Sequence, residues 1–336
     1  MQPKERTYKI EEAFLSPYAC RSVSTKGRRR EETPCSMRTD FQRDRDRIIY
    51  SKSFRRLKNK TQVFFSPDGD HYITRLTHTF DVSQIARSIA RALSLNEDLA
   101  EAIALGHDLG HTPCGHVGER VLNALCPAGF HHNEQSLRVV DVLEKDGRGL
   151  NLTYEVRDGI LNHTSAGKPQ TLEGVAVSLA DRIAYINHDI EDAIRGGFLR
   201  EEDLPAGPIA VLGRDTSERI NTAITDIVKS SEGKNTLTMS EEKGRASAEL
   251  RAFMFENVYV RANKVMQDRA ERMLTAMYDY FVKNTEKMPP LYRGVAEREG
   301  AGRAVCDYIS SMTDRYAIGV FEDLFVPKNF SMNGRD

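Results

Sequence analysis

Apolar residues recur at helical spacing along most of this chain, whereas the alternation typical of strands is almost absent. In one stretch the apolar positions lie three or four residues apart, at Val82, Ile85, Ile89 and Leu93. His78 lies one turn earlier on the same face. A second helix is predicted after Asn96, an N-cap residue that precedes two acidic residues, and it ends near Gly110. The pattern predicts two neighbouring helices joined by a tight connection.

The same periodicity predicts helices through the rest of the chain. They cover residues 39–58, 118–125, 133–144, 153–162, 172–195, 209–229, 240–283, 301–312 and 316–324. Residues 60–65 predict a short strand or extended loop, and residues 1–37 predict an irregular basic arm with at most a weak helix at 9–15. We therefore predict an all-α fold with minimal strand content. It has one helical domain over residues 38–336, with its core at about 60–200 and further helices at about 209–326.

The composition is typical of a globular protein without a membrane segment. The 336 residues are 40% hydrophobic and 29% charged, and no apolar run approaches the roughly 18 residues of a membrane span. The N-terminus lacks the apolar core of a signal peptide. The 5 cysteines are odd in number and never spaced C-x-x-C, which argues against a disulfide framework or a thiolate zinc site. We expect a cytoplasmic protein that does not bind membranes.

Charge is unevenly distributed, although the net charge is only −1. Residues 21–60 hold 14 lysines and arginines against 5 acidic residues. Such a basic block indicates an anionic partner, either the phosphates of a nucleotide or a nucleic-acid backbone. For Arg28, Arg29 and Arg30, a solvated surface turn is the simpler interpretation.

Histidines and carboxylates on predicted inward faces form a candidate metal site. They are His78, His107, Asp108, His111, His116, Glu119 and Asp181. Two neutral imidazoles and two carboxylates would hold one divalent ion, and this mixed ligation suits Mn²⁺, Fe²⁺, Ni²⁺ or Zn²⁺ better than Mg²⁺. His116 and Glu119 follow a predicted helix break. We expect them on the open side as a proton-transfer pair in which Glu119 orients His116.

The long helix over residues 172–195 carries a polar stripe on an otherwise apolar surface. Asp181, Tyr185 and Asp189 recur every four residues, and polar groups on an inner face are costly unless they have a function. Any one of the histidines taken alone is more simply a core or surface residue. So many titratable groups in one region nevertheless favour a functional site.

Several segments of the chain resemble a single protein family. They are residues 38–47 (RTDFQRDRDR), 54–64 (FRRLKNKTQVF), 74–79 (TRLTHT), 107–116 (HDLGHTPCGH), 132–136 (HNEQS), 179–189 (LADRIAYINHD) and 312–315 (MTDR). Together with the pattern H…HD…D, formed by His78, His107, Asp108 and Asp181, they resemble the deoxyguanosine-triphosphate triphosphohydrolase-like family of the HD phosphohydrolase superfamily. The resemblance covers residues 16–326 and implies an HD-domain helical bundle.

This resemblance implies hydrolysis of deoxynucleoside triphosphates, dGTP or several dNTPs, to a deoxynucleoside and tripolyphosphate. Water attacks the α-phosphorus and the 5′ oxygen of the sugar departs. The implied metal ligands, for which Mg²⁺ is also a candidate ion, are His78, His107, Asp108 and Asp181. The implied catalytic residues are His116, near the leaving oxygen, its partner Glu119, and His111 in the same segment.

The resemblance also implies a set of substrate-binding residues. They are Gln62, Arg75, His132, Arg182, Tyr185 and Asp189. Arg75 and Arg182 would bind phosphates. Tyr185 would pack under C2′ of the sugar and Asp189 would accept the 3′-OH, so that a ribose 2′-OH would clash. Cys114 replaces the phenylalanine usual in the family, which predicts a looser loop or a redox-sensitive thiol.

Further partners are implied by the resemblance alone: a homo-oligomer that is a hexamer or built from dimers, a second dNTP as effector, and single-stranded DNA. Two other functions remain open. The chain could be an HD-type nucleotide phosphomonoesterase or phosphodiesterase, which the Tyr185 and Asp189 stripe disfavours. It could instead be a nucleotide- or DNA-binding regulatory protein, which the complete ligand set disfavours.

Overall fold

The computed structural model describes residues 1–62, 72–259 and 264–327, and its regular secondary structure is almost entirely helical. The α-helices are α1 (Pro3–Phe14), α2 (Asp40–Ile49), α3 (Lys52–Arg56), α4 (Arg75–Ala92), α5 (Glu97–Gly106), α6 (Gly115–Leu125), α7 (His132–Arg138), α8 (Glu144–Gly147), α9 (Tyr154–Asn162), α10 (Leu172–Arg195), α11 (Ala206–Leu212), α12 (Thr216–Ser231), α13 (Glu241–Met254), α14 (Lys264–Lys283), α15 (Pro290–Glu299), α16 (Ala301–Ser310) and α17 (Asp314–Phe325). Two π-helical turns continue α7 and α13, at Val139–Leu143 and Phe255–Tyr259, and short 3₁₀ turns lie at Ser22–Ser24, Leu57–Asn59, Glu201–Asp203 and Thr285–Lys287.

Strand pairing is confined, in these described ranges, to two isolated bridges, Arg28 with Thr153 and Thr61 with Thr74. The predicted all-α class is therefore confirmed. Across the same ranges, no helix combines the length and apolarity needed to cross a membrane. The predicted extended run at residues 60–65 lies outside the described residues beyond Gln62.

The centre of the core is α5, which packs against α2, α4, α9 and α10. Most of α5 is buried, and it is rich in alanine, which lets its neighbours approach closely. On α9, a Cβ at Gly159 would lie only 2.5 Å from Cδ1 of Ile103, so glycine permits the crossing with α5. The crossing brings the ends of the two helices together, with the rings of His107 and His163 centred 5.0 Å apart.

The N-terminal arm is more regular than predicted and is tied to the helical core. Its helix α1 spans twelve residues instead of a weak turn at 9–15. The interpretation of Arg28 as part of a solvated turn is wrong, because its guanidinium is buried and forms ion pairs with Glu32, Asp40 and Asp44. Asp44 also accepts hydrogen bonds from the N–H and Oγ1 of Thr153, both at 2.7 Å.

Other predicted boundaries shift where capping residues interrupt a helix. The predicted helix at 39–58 breaks at Ser51, whose hydroxyl accepts from the N–H of Phe54 at 3.1 Å and starts α3. The helix predicted at 209–229 is divided at Gly213, which has φ of +129°. The sequence predicts no helix between residues 283 and 301, but α15 lies there. Pro290 is its first residue, where the missing N–H has no helical partner to lose.

We predict that Asp44→Asn destabilises the fold by about 3 kcal/mol, because it weakens a buried ion pair and leaves Arg28 partly uncompensated. Urea unfolding followed by circular dichroism measures this loss. The matched control is Arg91→Ala, which removes the half-solvated pair with Glu97 and should cost at most about 1 kcal/mol. Equal losses in both variants would show that the Arg28 pair does not anchor the arm.

Candidate metal centre and active site

Three helices bring four predicted ligands to one buried point. His78 comes from α4, His107 and Asp108 follow the end of α5, and Asp181 comes from the middle of α10. His78 Nε2 lies 3.1 Å from Asp181 Oδ1 and 3.9 Å from Asp108 Oδ2. His107 Nε2 lies 3.5 Å from Asp108 Oδ1 and 3.8 Å from Asp181 Oδ1. The structure therefore brings together all four residues that the sequence predicts as ligands.

The orientation of His107 fits a metal ligand. Its Nδ1 lies 2.6 Å from the carbonyl oxygen of Ala104, so this nitrogen carries the proton and Nε2 is left with a lone pair. Nε2 is buried and has no hydrogen-bond partner among the described residues. Ligating atoms of His78, His107 and Asp108 all lie within 4.8 Å of one another. A buried lone pair that faces two carboxylates suits a divalent cation.

Protonation also favours cation binding at this point. Burial alone would raise the pKa of Asp181, but its hydrogen bond to His78 and the nearby His107 lower it to about 2. For Asp108, burial is likewise outweighed by His107, His111 and Arg75, and its pKa lies well below the usual value. Burial lowers the pKa of His78. The carboxylates are therefore ionised and His78 is neutral at pH 7, as metal ligands must be.

Arg75 carries a positive charge that partly balances the negative charge of Asp108 in this centre. It is buried at the start of α4, and its Nη1 donates to Asp108 Oδ2 at 2.6 Å while Nη2 donates to the carbonyl oxygen of Gln62 at 3.2 Å. The side-chain oxygen of Gln62 is buried and has no partner in the described part of the chain. Both predicted substrate-binding residues thus lie at the edge of the metal centre.

The predicted acid–base residues form a histidine cluster in which Glu119 bonds His132. The N–H of His132 donates to Glu119 Oε1 at 2.8 Å, and His132 Nδ1 lies 2.9 Å from the same oxygen. The sequence predicts that Glu119 orients His116. In the structure, however, the hydrogen-bond partner of Glu119 is His132. His132 stacks on His111 with ring centroids 4.2 Å apart, and the ring of His116 lies 6.2 Å from that of His111.

The pKa values of the histidines in this cluster are shifted in opposite directions. Burial lowers the pKa of His132, but Glu119 outweighs burial and raises it above the usual value. Burial opposes the charge on Glu119, but His132 lowers its pKa to about 2. The His116 ring is accessible at the site, yet surrounding protein and the charge of Arg75 lower its pKa to about 4. His116 is therefore neutral at pH 7.

Two further histidines, His163 and His188, were not predicted. His163 follows α9, and its Nε2 lies 3.2 Å from Nε2 of His132. His188 on α10 has Nδ1 3.3 Å from Nδ1 of His78, and its Nε2 lies 2.9 Å from Asp81. His188 lies within the family-like segment 179–189, and its position seven residues after Asp181 could have placed it on a nearby face. His163 carries no such signal.

Cys114 lies on the loop between His111 and His116 in a left-handed conformation, with φ of +65°. The residue is buried, and burial raises the pKa of the Cys114 thiol. The expected redox-sensitive thiol is therefore disfavoured, because the reactive thiolate is rare.

The predicted substrate stripe on α10 adjoins a cavity of about 590 Å³ lined by Arg182 and Tyr185. Asp189, one turn beyond Tyr185, is buried. The walls of the cavity come from α10, α12 and α13. Arginines missed by the sequence analysis complete its lining: Arg219, Arg245 and Arg251. Such a set of cations above an apolar floor suits a ligand with several negative charges.

Comparisons with known proteins agree with this geometry. A family model described as an HD domain matches residues 75–186, and one described as a phosphohydrolase-associated domain matches residues 237–323. A deoxyguanosinetriphosphate triphosphohydrolase-like protein from Caldanaerobacter subterraneus subsp. tengcongensis is 58% identical and covers 97% of each chain. One of the same description from Clostridium perfringens is 50% identical over 98% of this chain and 99% of its own.

A solved phosphohydrolase from Bacteroides thetaiotaomicron shares the fold. It is 19% identical, with a TM-score of 0.50, over 82% of this chain and 68% of the other. HD domains bind divalent metals, and the buried His and Asp residues form a possible site for one.

We predict that Glu119→Gln destabilises the fold more at pH 5.5 than at pH 8.5. Glu119, with its lowered pKa, contributes stability above about pH 4.5, and His132, with its raised pKa, contributes below about pH 6.5. The ion pair is complete between these limits and is lost as rising pH removes the proton from His132. Urea unfolding at both pH values measures the difference.

The control for this prediction is Glu134→Gln, which changes a nearby carboxylate on the first turn of α7. Its effect should be small and nearly independent of pH. A Glu119→Gln loss that is the same at both pH values would contradict a charged His132.

Proposed function

The chain belongs to the family of deoxyguanosinetriphosphate triphosphohydrolase-like proteins, and on that basis we propose that it hydrolyses deoxynucleoside triphosphates to a deoxynucleoside and tripolyphosphate. The family and the HD domain support phosphohydrolase activity in general. The observation that carries the finer proposal is the arginine-lined cavity, whose lining includes Arg182 and Tyr185 of the predicted substrate-binding set.

We propose that His78, His107, Asp108 and Asp181 hold one divalent ion. The orphaned Nε2 of His107 and the ionised carboxylates support this assignment. A bound ion there supplies a Lewis acid for the α-phosphoryl group and lowers the pKa of bound water. The mixed nitrogen and oxygen donors suit Mn²⁺, Fe²⁺, Ni²⁺ or Zn²⁺, and Mg²⁺ stays a candidate.

The chain's own residues provide charge and proton transfer around the α-phosphate. Arg75 carries positive charge beside the metal centre, where a phosphate needs it, and the raised pKa of His132 favours its protonated form at the same place. His116 is neutral in the free protein. Because an approaching triphosphate adds about four negative charges, it raises the proton affinity of His116, which then donates a proton to the departing 5′ oxygen. Glu119 contributes by raising the pKa of His132, and His111 contributes by stacking on His132.

The remaining substrate contacts follow the direction of α10. Its residues 181, 185 and 189 rise by about 6 Å per step, which matches the separation of an α-phosphate and a sugar hydroxyl. Tyr185 and Asp189 would then contact the deoxyribose together with Gln62. Arg182, Arg245 and Arg251 border the cavity beyond Tyr185, and no ion pair in the described residues includes them. Arg182 donates through Nε to the carbonyl oxygen of Ser178, and the remaining N–H groups of the three arginines can bind the outer phosphates.

We predict that Asp181→Asn weakens binding of Mn²⁺ more than about 100-fold, since even changes in residues that only support ligands cost 10–100-fold. Metal content after dialysis, measured by mass spectrometry, tests this. The matched control on the same helix is Asp192→Asn, whose carboxylate bonds Ile73 and Arg195. Full metal content in Asp181→Asn would remove this residue from the ligand set.

We predict that the protein converts dGTP or another dNTP, with Mn²⁺ or Mg²⁺, to tripolyphosphate and deoxynucleoside. In ¹⁸O-water the label should enter tripolyphosphate and not the nucleoside, because water attacks phosphorus. His116→Ala should lower kcat about 10²–10⁴-fold, the contribution of a general acid. The exposed His131, changed to Ala, is the control and should leave kcat unaltered.

Other products would overturn the proposal. Release of inorganic phosphate or pyrophosphate alone indicates a different phosphohydrolase, and hydrolysis of monophosphates or cyclic nucleotides indicates the phosphomonoesterase or phosphodiesterase alternative. Nucleotide binding without turnover indicates a regulatory protein. The same assay with single-stranded DNA or a second dNTP added tests these two as effectors.

A further inference from the structure

Two buried charged groups contact the backbone of the loop of residues 111–116. One is Lys60, which precedes the match to the HD domain, and the other is Asp314, which lies in the match to the phosphohydrolase-associated domain. Neither lines the arginine cavity or belongs to the predicted ligand set. Both are nevertheless buried, and both join parts of the chain that are far apart in sequence.

Asp314 holds the loop by its backbone. Its Oδ1 accepts from the N–H of Cys114 at 3.0 Å. Its Oδ2 accepts from the N–H of Thr61 at 2.9 Å and from the hydroxyl of Thr61. One carboxylate therefore ties the start of α17 to the catalytic loop and to the segment that contains Gln62.

Lys60 holds the same loop three residues earlier, at His111. Its ammonium group donates to the carbonyl oxygen of His111 and, at 2.8 Å, to that of Ser310 at the end of α16. Asp314 also lies close enough to act on Lys60 electrostatically. Lys60 bonds the end of α16 and Asp314 begins α17. Both residues therefore link the loop to the junction of these two helices.

The conformation of the loop explains why it needs external support. Cys114 and Gly115 are consecutive residues with positive φ, +65° and +55°, and the first of them is not glycine. Such a backbone costs free energy that surrounding contacts must offset. The space behind it is closed, because a Cβ at Gly115 would lie 3.1 Å from the carbonyl oxygen of Gln62. His116 directly follows this turn.

Helix α16 also fixes the other half of the histidine cluster. Asp307, fully buried, accepts from Gln135 Nε2 at 3.0 Å and from Arg138 Nε and Nη2 at 2.9 and 2.7 Å. Gln135 and Arg138 lie on α7, the helix that begins at His132. The same short C-terminal region therefore contacts the elements that carry His116 and His132.

We propose that Asp314 is a positioning residue: it holds the loop of residues 111–116 so that His116 faces the metal centre. Through it, the phosphohydrolase-associated region controls the chemical step. The effect on catalysis rests on the function proposed above, whereas the effect on loop structure does not. Because a displacement of about 1 Å can cost 10²-fold in rate, loss of this contact acts on kcat.

The test compares wild type with Asp314→Ala and Asp314→Asn, using dGTP turnover and alkylation of Cys114 by iodoacetamide, mapped by mass spectrometry. Asp314→Ala should lower kcat by about 10–100-fold, with KM changed less than about threefold since substrate contacts remain. Cys114, buried in the wild type, should be alkylated about tenfold faster because the loop opens locally. Asp314→Asn keeps one acceptor oxygen, so its kcat and its rate of Cys114 alkylation should lie between those of the wild type and Asp314→Ala.

The control for stability is Thr39→Ala, which removes the N-cap acceptor for Gln42 at the start of α2, a helix that does not line the arginine-lined cavity. It should lower the melting temperature without changing kcat or Cys114 alkylation. If Asp314→Ala does not fold, Asp314→Asn and Thr61→Val carry the same comparison. Thr61→Val removes only the hydroxyl donor to Asp314.

The two proposals fail in different ways. A wild type that does not hydrolyse dNTPs overturns the proposed function, while Cys114 alkylation still tests the loop contact. Unchanged alkylation in both Asp314 variants overturns the positioning role. So does a kcat within about twofold of wild type, or a loss of activity that only follows the unfolded fraction, since a positioning residue acts on the folded enzyme.

Discussion

The structure depends on keeping Asp108 ionised although its side chain is buried. An isolated buried carboxylate is costly, and it persists only where neighbouring groups offset its charge. Arg75 donates to one oxygen at 2.6 Å, and His107 and His111 approach the other at 3.5 and 3.4 Å. Each of these neighbours comes from a different helical end or from the loop. The arrangement therefore requires α4, α5 and the loop to meet within a few ångströms.

Small residues make that meeting possible. Helix α5 is buried on nearly all sides and carries alanine and glycine where α4, α9 and α10 approach. A side chain at Gly110 would collide with the backbone of α7, 2.1 Å from the N–H of Ser136. The histidine cluster is thus compact because the backbones that carry it are in close contact.

Sequence alone predicted the parts of this arrangement that depend on local pattern. The long helices and the four converging ligands follow from periodicity and from the family-like segments. The partner of Glu119 could not be predicted in this way, because His132 lies 13 residues away across a turn whose geometry the pattern does not specify. His163 is a lone histidine at a helix end and carries no signal. The prediction that Arg28 is solvated is wrong because the sequence of an Arg-rich stretch does not distinguish a buried arginine from an exposed one.

The contacts between the C-terminal helices and the loop of residues 111–116 could not be predicted from the sequence either. The sequence separates a core at about 60–200 from an elaboration at about 209–326, but the contacts that support the loop cross this division. Asp314 bonds Cys114 over 200 positions and Lys60 bonds Ser310 over 250. Both contacts end on backbone groups, which any residue type provides, so no residue on the loop reveals them. A left-handed turn such as that at Cys114 is stable only when several contacts specify it together. Residues matched by the HD domain carry the histidine and carboxylate cluster, and residues on either side of that match supply backbone contacts to the loop that bears His116.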